Sequence, residues 1–556
     1  MPKDWTHLHD SCALPAPDSP IISRHAARAA MGWNLLDARV SQRIMKQSIG
    51  RFRVGQTAVT LTVAAALILG PLAPGRSRAA QFDLPEIGNS SDAVMGSGAQ
   101  LRLSKAFMRQ VRAALPVLDD PLLTAYLESL GNELVAADKS AGGSFNFFLI
   151  DQPVVNAFAG PGGNVGIYSG LILAAQSEDE LAAVVAHEIA HVTQNHLLRG
   201  LEDQGKLNMP TMALMVAAAI LGAQVSPDAG MAALAGIQAA AMQHRINFTR
   251  ENEKEADRIG IATLAAAGRD PYAMPGFFEK LSKASRVYEN NAPEFLRTHP
   301  VNSNRIGDAL GRADEYGARQ RADSLRFLLA RARLRERAYD RPEKSLESFK
   351  ASLREGRYLN ETAERYGYAL ALLRSGRLDE AKAESTKLLS AQPSLAEFIA
   401  LDAQVDLKQG RPAQALDHLK QAVTLSSGNW ALRSAYAEAL MAAGQPRQAM
   451  AEIKTVVRTR PGNAALYDLL TQAAIQSGDK AATHRYRAER LYTEGDLEPA
   501  IKQLEFALRQ PGLGYQDSAQ IQVLVDAWKE ERRDQKKRGP DPFDFSSDRA
   551  SAAAAP

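Results

Sequence analysis

Two histidines, His187 and His191, enclose Glu188 in an H-E-x-x-H pattern. On an α-helix, residues four apart lie one turn apart on the same face, so both imidazoles can bind one zinc ion. Glu188 lies one step round the helix, beside the water that such an ion would carry, where a carboxylate can serve as a general base. The pattern indicates zinc-dependent hydrolysis, provided that other elements complete the site.

A hydrolytic zinc site needs three protein ligands and one open position, so a third donor is expected on another element. The segment from Asn247 to Gly268 is predicted to be a helix, with Pro271 beyond its end. Glu253 and Asp257 lie one turn apart on this helix. Such an acidic pair can supply one ligand and one carboxylate that holds a ligand histidine in its tautomer. Taken alone, the same helix could also present these charges to solvent.

The helix that carries the two histidines has a predicted beginning. Ser177, followed three residues later by Glu180, forms a capping box, and the helix is expected to run to about Glu202. Its apolar residues should keep it largely buried, as a rigid metal-bearing helix requires. His196 lies nine residues after His187, half a turn out of phase on a regular helix. We therefore expect His196 to point away from the metal, on the surface or on a second face.

Two helices and a small group of strands are predicted around this motif. The segments Leu101–Leu115 and Pro121–Ala137 have apolar residues at helical spacing and are expected to be core helices. The runs 145–150, 156–159 and 164–169 are rich in strand-forming residues, with a glycine-rich turn before the last of them. The sequence thus favours two or three strands beside helices.

The last of these strands, 164–169, is a candidate sheet edge. An extended substrate could add to such an edge through backbone hydrogen bonds. The candidate residues of this substrate strand are Asn164, Gly166 and Tyr168. Tyr168 is more readily interpreted as a core or edge residue than as a donor to a reacting oxygen.

Composition limits the classes of function. At roughly 150 residues per domain, the chain should hold two or three domains. Its 66 basic and 63 acidic residues nearly balance, and it has no basic tract, so nucleic acid is not an expected partner. A hydrophobic content of 45%, with abundant alanine, is typical of a helix-rich globular protein.

The start of the chain resembles an export signal. Residues 45–79 begin at Met45 with basic residues, continue with the apolar stretch 58–69 and end with small residues. The apolar stretch is shorter than the roughly 20 residues of a membrane span, so cleavage is favoured over a retained anchor. Residues 1–44 are then interpreted as a wrongly chosen start or a dispensable extension. They contain the sole cysteine, Cys12, so the mature chain would suit an oxidising compartment.

The apolar segment 209–242 is interrupted at Ser226 to Asp228 and is not long enough on either side to span a membrane comfortably. One interpretation is a helical hairpin packed on the core. The other is a mobile flap, or a surface that lies against a membrane or a client protein. The sequence leaves both open.

Residues 319–529 are predicted to be helical repeats. Four glycines are spaced 34 residues apart, which is the tetratricopeptide period: Gly376, Gly410, Gly444 and Gly478. An alanine lies five positions after each of the first three glycines: Ala381, Ala415 and Ala449. Such stacks present a concave surface that binds a protein segment. Residues 530–556 are expected to be a disordered tail.

These motifs together resemble a known family, the gluzincin-type zinc metalloproteases related to the CAAX prenyl protease. The resemblance rests on the H-E-x-x-H pattern, Glu253-x-x-Ala256-Asp257, and Arg297-Thr298-His299-Pro300 ahead of Arg305. Further motifs extend it to the periplasmic family of β-barrel assembly-enhancing proteases: Asp120-Pro121-Leu122-Leu123, Asn156-Ala157-Phe158-Ala159 and Gly162-Gly163-Asn164-Val165. The similarity covers nearly the entire mature chain.

The resemblance implies roles for individual residues. His187, His191 and Glu253 would bind one Zn²⁺ per chain, Glu188 would be the general base, and Asp257 would support a ligand from behind.

A histidine in a later loop receives a separate role from the resemblance. His299 would occupy the open metal position and keep the enzyme latent. Arg305 follows the same loop, and its role stays open.

The expected fold is an α+β zinc metalloprotease domain, helix-rich with a small sheet, over residues 80–318, followed by an all-α tetratricopeptide solenoid. The resemblance implies a periplasmic endopeptidase acting on misfolded or stalled outer-membrane proteins, with repeats that engage clients or the outer-membrane assembly machinery. The alternative is a chaperone-like adaptor whose metal site is structural or latent. All three ligands and the base are present, which argues against a dead enzyme.

Overall fold

A computed structural model describes residues 97–197, 199, 250–287 and 293–537, which belong to one compact unit, Glu86–Pro556. The predicted extension, the signal peptide, the segment 209–242 and residues 538–556 lie outside the described residues. No helix within the described ranges is long and apolar enough to cross a membrane.

The described strands form one four-stranded sheet in the order β1-β2-β4-β3. The strands are β1 (Val117–Leu118), β2 (Asn146–Ile150), β3 (Ala157–Gly160) and β4 (Asn164–Tyr168). β4 runs parallel to β2 and antiparallel to β3, and β1 pairs antiparallel with β2. The small sheet beside helices confirms the predicted fold class.

β4 lies inside the sheet, so the prediction of an edge strand at 164–169 is wrong. Asn164, Gly166 and Tyr168 have register partners in β2 and also in β3 or in the residue before it. Both sides of the backbone are thus committed to the sheet, and a substrate cannot add to β4. Of the described strands, β3 is at the edge on this side.

Eight helices surround the sheet in the first half of the described chain. They are α1 (Ser97–Ala114), α2 (Pro121–Ala137), α3 (Ser169–Ala174), α4 (Glu178–Thr193), α5 (Arg250–Ala266), α6 (Ala273–Val287), α7 (Glu294–Thr298) and α8 (Ser303–Tyr316). The two predicted core helices correspond to α1 and α2. α2 begins where Asp120 accepts hydrogen bonds from the amides of Leu122 and Leu123, with Pro121 at its first position.

Helix α4 carries the H-E-x-x-H pattern and is buried along almost its whole length. Its beginning is as predicted, because the Ser177 hydroxyl accepts a hydrogen bond from the Glu180 amide at 3.2 Å. It ends at Thr193, well before the predicted Glu202. Helix α5 packs closely against it at Gly260, where a β-carbon would lie only 3.2 Å from the backbone nitrogen of His187. This close approach brings the two acidic residues of α5 to the motif.

The second half of the described chain consists of helices. They are α9 (Leu325–Arg337), α10 (Pro342–Glu355), α11 (Glu361–Arg374), α12 (Leu378–Ala391), α13 (Ala396–Lys408), α14 (Pro412–Leu425), α15 (Trp430–Ala442), α16 (Pro446–Val457), α17 (Ala464–Gln476), α18 (Lys480–Glu494), α19 (Leu497–Leu508) and α20 (Tyr515–Lys537). They confirm the predicted all-α repeats. Since α20 continues to Lys537, the prediction of a disordered tail from residue 530 is wrong for its first part.

The 34-residue period corresponds to paired helices. Each of the four periodic glycines follows the first helix of a pair with a left-handed φ of 72° or 73°, a conformation that glycine adopts without steric cost. The three alanines that follow, Ala381, Ala415 and Ala449, are fully buried in the second helix of each pair. A larger side chain there would separate the helices.

Helix α2 of the first half packs against the repeats. The Glu128 carboxylate accepts hydrogen bonds from both terminal nitrogens of Arg460, at 2.7 Å each, and from the Trp430 indole at 3.1 Å. Asp120, at the start of the helix, accepts one from Arg333 at 2.7 Å. Part of the repeat surface is therefore occupied by the chain's own α2.

The beginning of α4 is joined to the beginning of the first repeat helix, α9. The Glu178 amide donates to the Asp323 carboxylate at 2.7 Å. In the other direction, the Ser324 amide and hydroxyl donate to the Glu178 carboxylate at 3.2 and 2.8 Å. Each helix thus supplies an acceptor to the unpaired amides of the other. Buried Arg269 lies 3.7 Å from Glu178 and offsets the negative charge.

Candidate metal centre

Four buried side chains from three parts of the chain converge beside α4. His187 and His191 come from α4, Glu253 from the first turn of α5, and His299 from the residue after α7. One potential ligand atom from each lies within 4.8 Å of all the others. The Nε2 atoms of His187 and His191 are 3.0 Å apart, and each lies 3.5 Å from a different oxygen of Glu253.

This donor set fits a metal ion. Imidazole nitrogens with one carboxylate are ligands that zinc and related transition metals accept. Both carboxylate oxygens of Glu188 are buried without a hydrogen-bond partner of good geometry among the described residues. Buried polar groups are normally paired, so this arrangement indicates that a bound group completes the site.

Charge in the cluster also favours a cation. Burial acts to raise the pKa of the Glu253 carboxyl, but His299 and His187 hold that pKa well below its usual range. Burial alone would lower the pKa of His187, yet Asp257 and Glu253 raise it to about 10, so these carboxylates favour positive charge at this ring, which a bound metal ion would supply in place of the proton. Glu253 is therefore an ionised carboxylate in a buried site, which attracts positive charge strongly.

Asp257 and Arg305 lie behind His187. The Asp257 carboxylate is 3.0 Å from the Nδ1 atom of His187, so the Nε2 atom of that ring faces the cluster. Arg305 binds both Asp257 oxygens, at 2.8 and 2.9 Å, and reaches a Glu253 oxygen at 2.8 Å. It is 3% exposed and also donates to the Pro300 carbonyl. Arg305, whose role the sequence left open, thus connects the acidic pair of α5 to the His299 loop.

His299 lies close both to the other donors of the cluster and to Glu188. Its Nδ1 atom lies 3.0 Å from Glu253 and 3.3 Å from His187, while its Nε2 atom lies 3.5 Å from Glu188. Its ring stacks on the buried Phe295, with ring centroids 4.8 Å apart. The structure therefore places His299 within the cluster rather than at a distance from it.

His196 is not a surface residue, so that alternative of the prediction is wrong, although His196 is not among the four residues of the cluster. It is 1% exposed, and its Nδ1 atom lies 2.9 Å from the Nδ1 atom of His191. The prediction assumed a regular helix, but α4 ends at Thr193 and Asn195 has a left-handed φ of 53°. Asn195 itself was the available signal, because asparagine tolerates this conformation and often follows helix ends.

Comparison with known proteins places this geometry in a family. Residues 121–313 match the family model described as Peptidase family M48, and residues 406–473 match a tetratricopeptide repeat model. The former range contains every donor of the cluster.

Several curated proteins are similar to the chain. The Beta-barrel assembly-enhancing protease of Escherichia coli O157:H7 is 36% identical over 475 residues, covering 85% of this chain and 97% of that protein. The Putative beta-barrel assembly-enhancing protease of Vibrio cholerae is 40% identical over 349 residues, 63% of this chain and 71% of that protein. The Mitochondrial metalloendopeptidase OMA1 of Arabidopsis thaliana is 30% identical over 189 residues, 34% of this chain and 36% of that protein.

Proposed function

The chain belongs to the family of β-barrel assembly-enhancing proteases and is a metalloendopeptidase. We propose that it is a zinc-dependent enzyme of the periplasm that cleaves misfolded or stalled outer-membrane proteins. The observation that carries the proposal is the buried cluster of His187, His191 and Glu253 beside Glu188. Those three residues would hold one zinc ion per chain. The signal-like segment 45–79 supports export.

The chemistry divides between the ion and the protein. Zinc, when bound, supplies a Lewis acid and lowers the pKa of a water toward ~7. Glu188 accepts the proton of the attacking water and returns it to the departing amine nitrogen. Asp257 orients His187, and Arg305 holds Asp257 in place.

Substrate would extend along β3 rather than along β4. Among the described strands, β3 has β4 on one side only, and it packs against α4, the helix that carries Glu188. An extended peptide can bind such an edge through its backbone, whatever its side chains are. This mode suits an enzyme that cleaves unfolded clients. The repeats would engage those clients or the outer-membrane assembly machinery with the surface that α2 leaves uncovered.

Metal removal tests the proposal. We expect the purified protein to contain about one zinc per chain and to cleave a denatured outer-membrane β-barrel protein faster than its folded form, because the strands of the folded barrel are paired on both sides and cannot add to β3. Chelation should abolish cleavage, and zinc but not magnesium should restore it. Cleavage that persists in fully metal-free protein would exclude a metalloprotease.

His299 gives a second prediction. Because it contacts both Glu253 and Glu188, we propose that it restrains the site, and we expect His299→Ala to cleave the same denatured protein at least several times faster than wild type. Zinc content should stay near one per chain. Loss of zinc in the variant would instead make His299 a required ligand. If zinc is bound but neither protein cleaves, the repeats would be the working part and the adaptor function would be favoured.

A further inference from the structure

The side of His191 that faces away from the cluster is occupied by a second histidine. The Nε2 atom of His191 lies 3.0 Å from the Nε2 atom of His187 and 3.5 Å from Glu253, so this nitrogen faces the proposed metal. The other nitrogen of His191, Nδ1, lies 2.9 Å from the Nδ1 atom of His196. The other nitrogen of His196 lies 3.1 Å from a Glu255 oxygen.

The proton positions along this chain follow from the ligand role. A neutral histidine that binds metal through Nε2 carries its proton on Nδ1 and can only donate there. The Nδ1 atom of His196 must then accept, which leaves the His196 proton on Nε2, facing Glu255. A carboxylate can only accept, so it matches this donor. One arrangement of protons satisfies the two contacts and the metal together.

We propose that His196 and Glu255 form a positioning relay that fixes the tautomer and the ring orientation of His191 for metal binding. The inference rests on the proposed zinc site. It gives the two ligand histidines different supports: His187 has Asp257 directly behind it, whereas His191 reaches a carboxylate through a second imidazole.

The backbone is shaped to bring His196 to this place. Asn195 is the non-glycine residue with a positive φ within the described ranges, and its left-handed conformation turns the chain back toward His191 after α4 ends. Asparagine adopts this conformation more readily than most L-amino acids. The His196 side chain is fully buried, whereas 31% of the Glu255 side chain is exposed.

Zinc affinity, measured by competition with a chelator, tests the relay without relying on catalysis. We expect His196→Phe to weaken zinc binding by about 10–100-fold, as the loss of a group behind a metal ligand typically does. His196→Asn keeps an acceptor near the Nδ1 position and should recover part of this loss. Glu255→Ala should weaken binding by about tenfold or less, because it acts through His196. Glu251→Ala, exposed on the same helix, is the matched control and should bind as wild type.

The double variant separates a relay from independent packing effects. If His196 transmits the effect of Glu255, adding Glu255→Ala to His196→Phe should cause no further loss of affinity. The relay is excluded if His196→Phe and Glu255→Ala both bind zinc as tightly as Glu251→Ala, or if Phe and Asn at 196 weaken binding equally. If His196→Phe fails to fold, the zinc affinity of Glu255→Ala, a change at a partly exposed residue, still tests the relay. Wild type that binds no zinc would refute the metal site itself, a different outcome.

Discussion

Replacing Glu188 by glutamine is expected to slow peptide cleavage by about 10²–10⁴-fold, the range that a positioned general base contributes. Glutamine has nearly the same shape but cannot accept the proton of the attacking water. Glu188 is not in the proposed ligand set, so zinc content should not change. Burial raises the pKa of Glu188, which means that the folded protein disfavours its charge. In the metal-free state, the neutral variant should therefore unfold at a temperature at or above that of metal-free wild type.

The measurement combines cleavage of the denatured outer-membrane protein, zinc content and thermal unfolding. Glu279→Gln, a solvent-accessible position on α6, makes the same chemical change away from the site and should keep full activity. Wild-type cleavage by Glu188→Gln would remove Glu188 from the mechanism. Loss of zinc in Glu188→Gln would show that it is a ligand.

Replacing Arg305 by alanine is expected to lower the free energy of unfolding by about 3–5 kcal/mol, the range found when one partner of a buried ion pair is removed. The substitution leaves Asp257 and Glu253 as buried carboxylates without their guanidinium. It also frees the Pro300 carbonyl, and with it the loop that carries His299. We expect zinc affinity to fall as well, because Asp257 would no longer hold His187 firmly.

Denaturant unfolding of the metal-free and the zinc-loaded protein measures the effect of Arg305→Ala. Lysine at position 305 keeps the charge but not the fork that binds both Asp257 oxygens, so Arg305→Lys should fall between wild type and alanine. Arg354→Ala, 74% exposed on α10, is the control for an arginine on the surface. An unfolding midpoint for Arg305→Ala equal to that of Arg354→Ala would show that the contacts of Arg305 with Asp257 and Glu253 do not stabilise the fold.

Local signals predicted most of the elements. The bounds of α2 agree with the prediction from apolar residues at helical spacing, and the Asp120 cap and Pro121 fix its start within one turn. The repeats follow from a period, which needs no knowledge of distant contacts. The H-E-x-x-H pattern indicated a metal because its histidines lie one turn apart on one helix.

The misplaced features depend on contacts between distant parts of the chain. Whether β4 lies at an edge is decided by its pairing with β2, and an apolar strand is equally compatible with either position. His196 was misplaced because its phase was counted through the end of α4. Arg305 lies 48 residues from Asp257, so no local pattern joins them.

The reciprocal contact between Glu178 on α4 and Asp323 and Ser324 at the start of α9 bears on how such a protein can evolve. A gene fusion that replaced the repeats after residue 318 would remove the acceptor for the first amide of the catalytic helix. It would also leave the buried carboxylate of Glu178 short of two donors. A fusion at this boundary is therefore expected to destabilise the start of α4 unless the incoming segment brings an acidic residue and a hydroxyl to the same two positions. The two halves are coupled at this junction, although their sequence patterns are separate.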